Sequence, residues 1–433
     1  GTYDEFNKEL SFRGVYDGNG HSISNLFISR PDSADYQALF GSIYNGSVRN
    51  LSVDNAQISG NLYTGILAGF VGSNSLLFNC STTGVVNSTA GDVGGLAGAA
   101  FGGLSVVTID SCLSTVTISA TGQTNKEYVG GLIGILDDGL ISRSAAEADI
   151  TANGYRNVGG LVGLCTESIV KTSSAGGTVK ARDTAGGLIG YLANGTVDSC
   201  YSTTSVSITE TAGGGFGGGF IHASAEYSYS TGKVTSTGTT GTGGFVGFTS
   251  FSSYNQCFSN SNVESAGIYT GGFAGHAQQG TTVSNCYATG RIKSTNDYAG
   301  GFIGISNNIP GITHCYSTGP VSSTGKKGGF SGFNHYSPVT DCFWDTETSG
   351  ITEAAGQFSG DIPQYLSGKT MADMKNVLTY TSLAGGELSS AWDFAGNPND
   401  DEANEEIWTI DPEVNKGYPY LTAVFPPEIP VSV

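Results

Sequence analysis

Short apolar runs alternate with polar, glycine-rich ones along most of the chain, and the alternation itself recurs. The block Gly-Gly-Leu/Phe-x-Gly starts at Gly94, Gly130, Gly159, Gly186, Gly214, Gly243, Gly271, Gly300 and Gly328. Weaker copies start at Gln37 and Gly65. Successive starts lie 28, 29, 36, 29, 27, 28, 29, 28, 29 and 28 residues apart. Between them sits a second block, seen as Val197-Asp-Ser-Cys-Tyr-Ser-Thr203, Val283-Ser-Asn-Cys-Tyr-Ala-Thr289 and Ile312-Thr-His-Cys-Tyr-Ser-Thr318. Each period thus holds a few short runs rich in Val, Ile, Thr, Tyr and Phe, separated by Gly, Ser and Asn turns, which is strand chemistry. No helix-period segment interrupts them. A fixed period of roughly 20–50 residues marks stacked repeats. The pattern predicts an all-β parallel β-helix of about eleven coils, period about 28 residues, with a small irregular C-terminal cap.

In such a stack, equivalent residues lie one strand spacing apart, roughly 4.8 Å. Three residue rows follow, the first of them facing inward. Leu96, Leu132, Leu161 and Leu188 give way in one block to Phe216, Phe245, Phe273, Phe302 and Phe330. Tyr201, Tyr229, Phe258, Tyr287, Tyr316 and Phe343 form an aromatic row. Cys80, Cys112, Cys200, Cys257, Cys286, Cys315 and Cys342 share one place in the coil, and Cys165 stands apart. In-register Cβ atoms at strand spacing miss the roughly 3.5–4.5 Å of a disulfide, so these cysteines are expected to be buried free thiols. The motif glycines supply either positive φ or close backbone approach at a corner. The residue after the Leu/Phe row (Ala97, Ile133, Val162 and their equivalents) either forms an outward apolar stripe or is buried by a bend.

Composition narrows the class. The 433 residues carry 37 acidic and 18 basic side chains, a net charge of −19. The tail from residue 343 holds 15 of the acidic and 3 of the basic ones. This balance argues against nucleic acid as a partner. No apolar run is long enough to insert in a membrane as a helix. The expected divisions are an entry coil and partial N-terminal cap at 1–36, the repeat at 37–342, a cap with one short helix at 343–424, and a Pro-rich linker at 425–433. Thr370-Met-Ala-Asp373 reads as a capping box for that helix.

These blocks resemble the GLUG repeat family of bacterial and archaeal surface proteins. The shared residues are the Gly-Gly-Leu/Phe-x-Gly motif, the Cys-Tyr-Ser-Thr-Gly strand, the segment Phe12-Arg-Gly-Val-Tyr-Asp-Gly-Asn-Gly20, and Cys342-Phe-Trp-Asp345. The resemblance implies a right-handed β-helix in secreted, cell-surface or adhesin-like proteins, some of which carry an IgA-peptidase label. Family members usually have further strand sequence before the Phe12 block, so the expectation is that either an N-terminal cap was cut away or something else covers that end.

Candidate chemistry is sparse. His21, His222, His276, His314 and His335 form no zinc spacing, and no nucleophile elbow or phosphate loop is present. Charges concentrate in residues 137–183, with eleven in 47 positions. Asp138 and Glu167 fall eight residues after their Gly-Gly starts and should stack, with Arg143, Arg156, Lys171 and Arg182 nearby. Asp138, Glu167, Arg143 and Lys171 are therefore the candidate binding residues, and no catalytic or metal residue is assigned. The long 36-residue step places insertions near 99–107 and 121–128. The acidic loop Asn397–Glu406 offers oxygen ligands of the kind calcium takes but lacks the EF-hand order, so no cofactor is assigned.

The expected function is a non-catalytic extracellular or cell-surface protein: an adhesin-like stalk or binding module able to assemble into a filament. Its partners would be a surface glycan, a protein ligand or neighbouring copies of itself. The alternative is an extracellular polysaccharide lyase or hydrolase with its cleft on the coils at 130–186.

Overall fold

Each coil is a sequence of strands joined by sharp bends. The computed structural model describes residues 10–31, 35–121, 128–238, 240–360, 363–396 and 406–424. One coil runs through strands Tyr128–Gly130, Ile133–Asp137, Gly139–Ser142 and Ala145–Ala152. The next repeats it as Asn157–Gly159, Val162–Thr166, Ile169–Lys171 and Ser174–Ala181. Strands of the solenoid pair in parallel with their counterparts in the coils before and after, as in Ile133 with Ala97 on one side and Val162 on the other. The result is three parallel sheets of 9, 12 and 29 strands, the last comprising both outer runs of each coil. Together they form a parallel β-solenoid of about eleven turns.

The interior is the stack of in-register rows. All members of the Leu/Phe row are fully buried. The rings of Phe216, Phe245, Phe273, Phe302 and Phe330 stack at 4.4, 4.9, 5.1 and 4.9 Å. Each such pair adds about 0.5–1.5 kcal/mol beyond area burial. The residue after the row is buried as well, from Ala97 to Ser331, so no outward stripe exists there. The cause is a bend: the N–H groups of Leu132 and Ile133 both donate to the carbonyl of Leu161, and the same fork recurs from coil to coil. Two consecutive donors aimed at one acceptor cannot lie on a straight strand, whose N–H groups alternate direction.

That bend explains the motif glycines. None of those in the Gly-Gly pairs has a positive φ; close approach is what they supply. A Cβ on Gly244 would lie 2.1 Å from the Gly272 carbonyl oxygen, and one on Gly131 would lie 2.0 Å from that of Gly160.

Two further bends in each coil are made by left-handed residues. The first corner carries Asn45, Asn74, Gly103, Asp138, Glu167, Asn194, His222, Phe251, Gly280, Asn308 and Tyr336. The second carries Asn50, Asn79, Ser111, Arg143, Thr172, Ser199, Tyr227, Gln256, Asn285, His314 and Asp341. Asn, Asp and Gly tolerate this conformation best; Asn and Asp occur on both rows and Gly on the first. The insertion expected near 99–107 falls on the first corner, where Leu104 is 96% exposed; its companion near 121–128 lies mostly outside the described residues.

Parallel pairing runs past Cys342. Strands Ala355–Ser359 and Leu366–Lys369 add one more partial coil. The rest of the tail does not sit on the end of the stack. It packs along its side, against the aromatic row. Tyr201, Tyr229, Phe258, Tyr287 and Tyr316 stack at 5.2, 4.8, 4.7 and 5.1 Å with interplanar angles of 6° or less. Met374, Tyr380, Trp392, Phe394, Trp408 and Leu421 join that row as a second core. Two buried carboxylates pin the tail. Asp341 accepts from the backbone N–H and hydroxyl of both Ser389 and Ser390. Asp345 accepts from the N–H groups of Glu347 and Thr348 and from the Tyr418 hydroxyl. Among its described residues the tail holds three short α-helices, Thr346–Ser349, Met371–Met374 and Leu378–Thr381; Thr370 caps the second through the Asp373 N–H.

Gly244→Ala is expected to lower stability by about 3 kcal/mol, as overpacking does. Gly311→Ala, where no atom lies within 4 Å of the added methyl, should change it by less than about 0.5 kcal/mol. Urea unfolding midpoints of the two variants check this.

Candidate functional site

The charged candidates do not converge. Asp138 and Glu167 share the first corner, on adjacent coils, with the Asp138 N–H donating to the Thr166 carbonyl. Arg143 is on the second corner, where its guanidinium pairs with Asp110. The strand Gly139–Ser142 separates the two corners, a span of about 13 Å. Lys171 ends the strand Ile169–Lys171 and pairs in register with Ser142 and Asp198. Among the described residues, no group of three or more His, Cys, Asp or Glu side chains is placed to hold a metal. The acidic loop considered for calcium, 397–405, lies outside the described residues, as does the Pro-rich segment 425–433.

The cysteine row is interior. All eight cysteines are free and buried. The row is completed by serines: the Cys112 N–H donates to Ser144 Oγ at 3.0 Å, Ser144 to Ser173 Oγ at 3.1 Å, Ser173 to Cys200 Sγ at 3.4 Å, and Cys200 to Ser228 Oγ at 3.1 Å. The side chain's task is therefore to accept the N–H released by the second corner, which sulfur or oxygen can do. Burial pushes the Cys165 and Cys200 thiols up to about 12, and the same desolvation raises Cys257 and Cys315. A thiol so protonated is no nucleophile at neutral pH.

What the structure assembles instead is a groove on the first corner. Asn194, His222, Phe251 and Gly280 follow one another there on successive coils. Below them, strands Thr196–Asp198, Ser224–Glu226, Ser253–Asn255 and Thr282–Ser284 pair in register. Their first residues, Thr196, Ser224, Ser253 and Thr282, give an outward row of hydroxyls. These elements line an open groove of about 570 Å³. The imidazole of His222 stacks on the Phe251 ring at 4.9 Å and 10°, and Phe251 is 49% exposed. Neither His222 nor Phe251 is among the binding candidates read from the sequence. The same phase that aligns Asp138 with Glu167, eight residues after Gly-Gly, also aligns Asn194, His222 and Phe251. The signal was the change of residue type along that row.

A second cavity, about 740 Å³, lies in the seam between tail and solenoid, lined by Asn260, Asn262 and Thr289 on one side and Lys375, Asn415 and Lys416 on the other.

A parallel solenoid with glycine-bent corners and thiol-lined coils is a repeat scaffold, and its repeat is recognisable. Residues 266–293 match the family model described as the GLUG motif. A stretch of 89 residues, 20% of the chain, is 43% identical to halomucin of Haloquadratum walsbyi, of which it spans 1%. A crystal structure from Bacteroides ovatus, described as a candidate immunoglobulin A1 protease, aligns over 94% of this chain and 77% of that one at 16% identity. Its TM-score of 0.28 is too low to carry an argument.

Because all eight thiols are buried, iodoacetamide at pH 8 should leave the native protein unlabelled and modify all eight cysteines once urea unfolds it. Mass spectrometry reads both states. Rapid native labelling of Cys165 or Cys200 would contradict the burial.

Proposed function

We propose that this chain is a non-catalytic extracellular β-solenoid, an adhesin-like stalk or binding module at a cell surface. One observation carries the proposal. The repeat spends its reactive side chains on its own architecture, thiols inside and Asp341 and Asp345 on the tail, while it presents an open corner row to solvent. A solenoid of this kind offers a long surface on which a ligand can lie across several coils. The halomucin match and the GLUG motif support the surface setting. Asp138 and Glu167 stand side by side on the first corner while Arg143 is at the second, so the enzymatic alternative rests on that carboxylate pair alone.

Incubation of the full chain with cell-wall and capsular polysaccharides should release no reducing ends and no unsaturated uronates above a blank. Product that disappears in Asp138→Ala or Glu167→Ala would replace this function with the enzymatic one.

A further inference from the structure

We propose that the first-corner groove around His222 and Phe251 binds a neutral saccharide. This rests on the binding-module function above and names its ligand class. Phe251 has φ 49° and His222 φ 50°. A bulky aromatic in the left-handed region is strained, and strain of this kind persists where function holds it. At seven other positions of the row Asn, Asp or Gly makes the same bend at lower cost, while Glu167 and Tyr336 share the strain. Burial does not compensate Phe251, which is 49% exposed. Its ring is held by two neighbours. It stacks on the His222 imidazole at 4.9 Å, and a Cβ on Gly280 would stand 2.3 Å from its Cδ1, so only glycine at 280 lets the ring lie as it does.

The surroundings specify the ligand. A pyranose has a face of C–H groups at its centre and hydroxyls at its rim. An exposed flat ring suits the first, and a cluster of hydroxyl and amide side chains suits the second. Asn194, Thr196, Ser224, Ser253 and Thr282 supply that cluster, and the Ser224 hydroxyl donates to Thr196 Oγ1 at 3.2 Å. The groove's 570 Å³ falls in the ordinary range for small-molecule sites. No Lys, Arg, Asp or Glu lines it. The nearest charges along the same strands are Asp198 and Glu226, which disfavour uronates and sialic acids. An oligosaccharide running along the corner would reach Tyr336, 61% exposed and three coils further on, after about 14 Å.

The test is a glycan array probed with the full chain, followed by titration of the best ligand into Phe251→Asn and His222→Asn. Asn is the residue this corner already carries at 45, 74, 194 and 308, so both variants should fold. Binding of neutral oligosaccharides, at least tenfold weaker in Phe251→Asn, with Tm equal to or above that of the parent, is expected. No neutral glycan bound, unchanged affinity in Phe251→Asn, or a lowered Tm for that variant would each overturn the site. A uronate or protein ligand whose binding Phe251→Asn leaves intact would overturn it too while leaving the binding-module function standing. Cleavage of a bound glycan would instead overturn that function.

Discussion

Backbone crowding at the Gly-Gly corner governs this molecule. Successive coils must come within one strand spacing of each other even where the chain turns sharply. At Gly131 and Gly244, the space a Cβ would occupy already belongs to a carbonyl of the next coil. Once that approach is made, the register of every other row is settled, because each residue can only face its counterpart one period away. The forked hydrogen bonds at the Leu/Phe row are the local expression of this turn.

Register then decides what each row must be made of. Inside, like stacks on like, and leucine changes to phenylalanine in a block because an isolated ring would face a smaller neighbour. The Cys row obeys a looser requirement. Ser144, Ser173 and Ser228 stand in it without interruption, because the need is a small buried acceptor for a corner N–H. On the flank, the aromatic row is apolar enough to need covering. The tail meets that need with Trp392 and Trp408, and two buried aspartates fix it there. A buried carboxylate with several donors is costly to disrupt, which makes the tail part of the folded unit.

Function is left to the outward rows. Their side chains are free of packing duties, so composition there can vary coil by coil. The first corner shows this, passing from Asp138 and Glu167 through Asn194 to the His222–Phe251 pair.

Periodicity in the amino-acid sequence determined the coil, its strand content, the buried rows and the free state of the thiols, because a parallel stack converts sequence phase directly into spatial contact. It also put Asp138 beside Glu167. It could not show that Arg143 and Lys171 lie away from them, since two left-handed bends per coil leave only faint marks in residue type. Nor could it place the tail: Trp392 and Trp408 belong to no period, and only packing against the Tyr287–Tyr316 face gives them a partner. Contacts along the stack are thus written in the repeat. Contacts across its corners and flank depend on how the chain bends, and only the tertiary structure decided them.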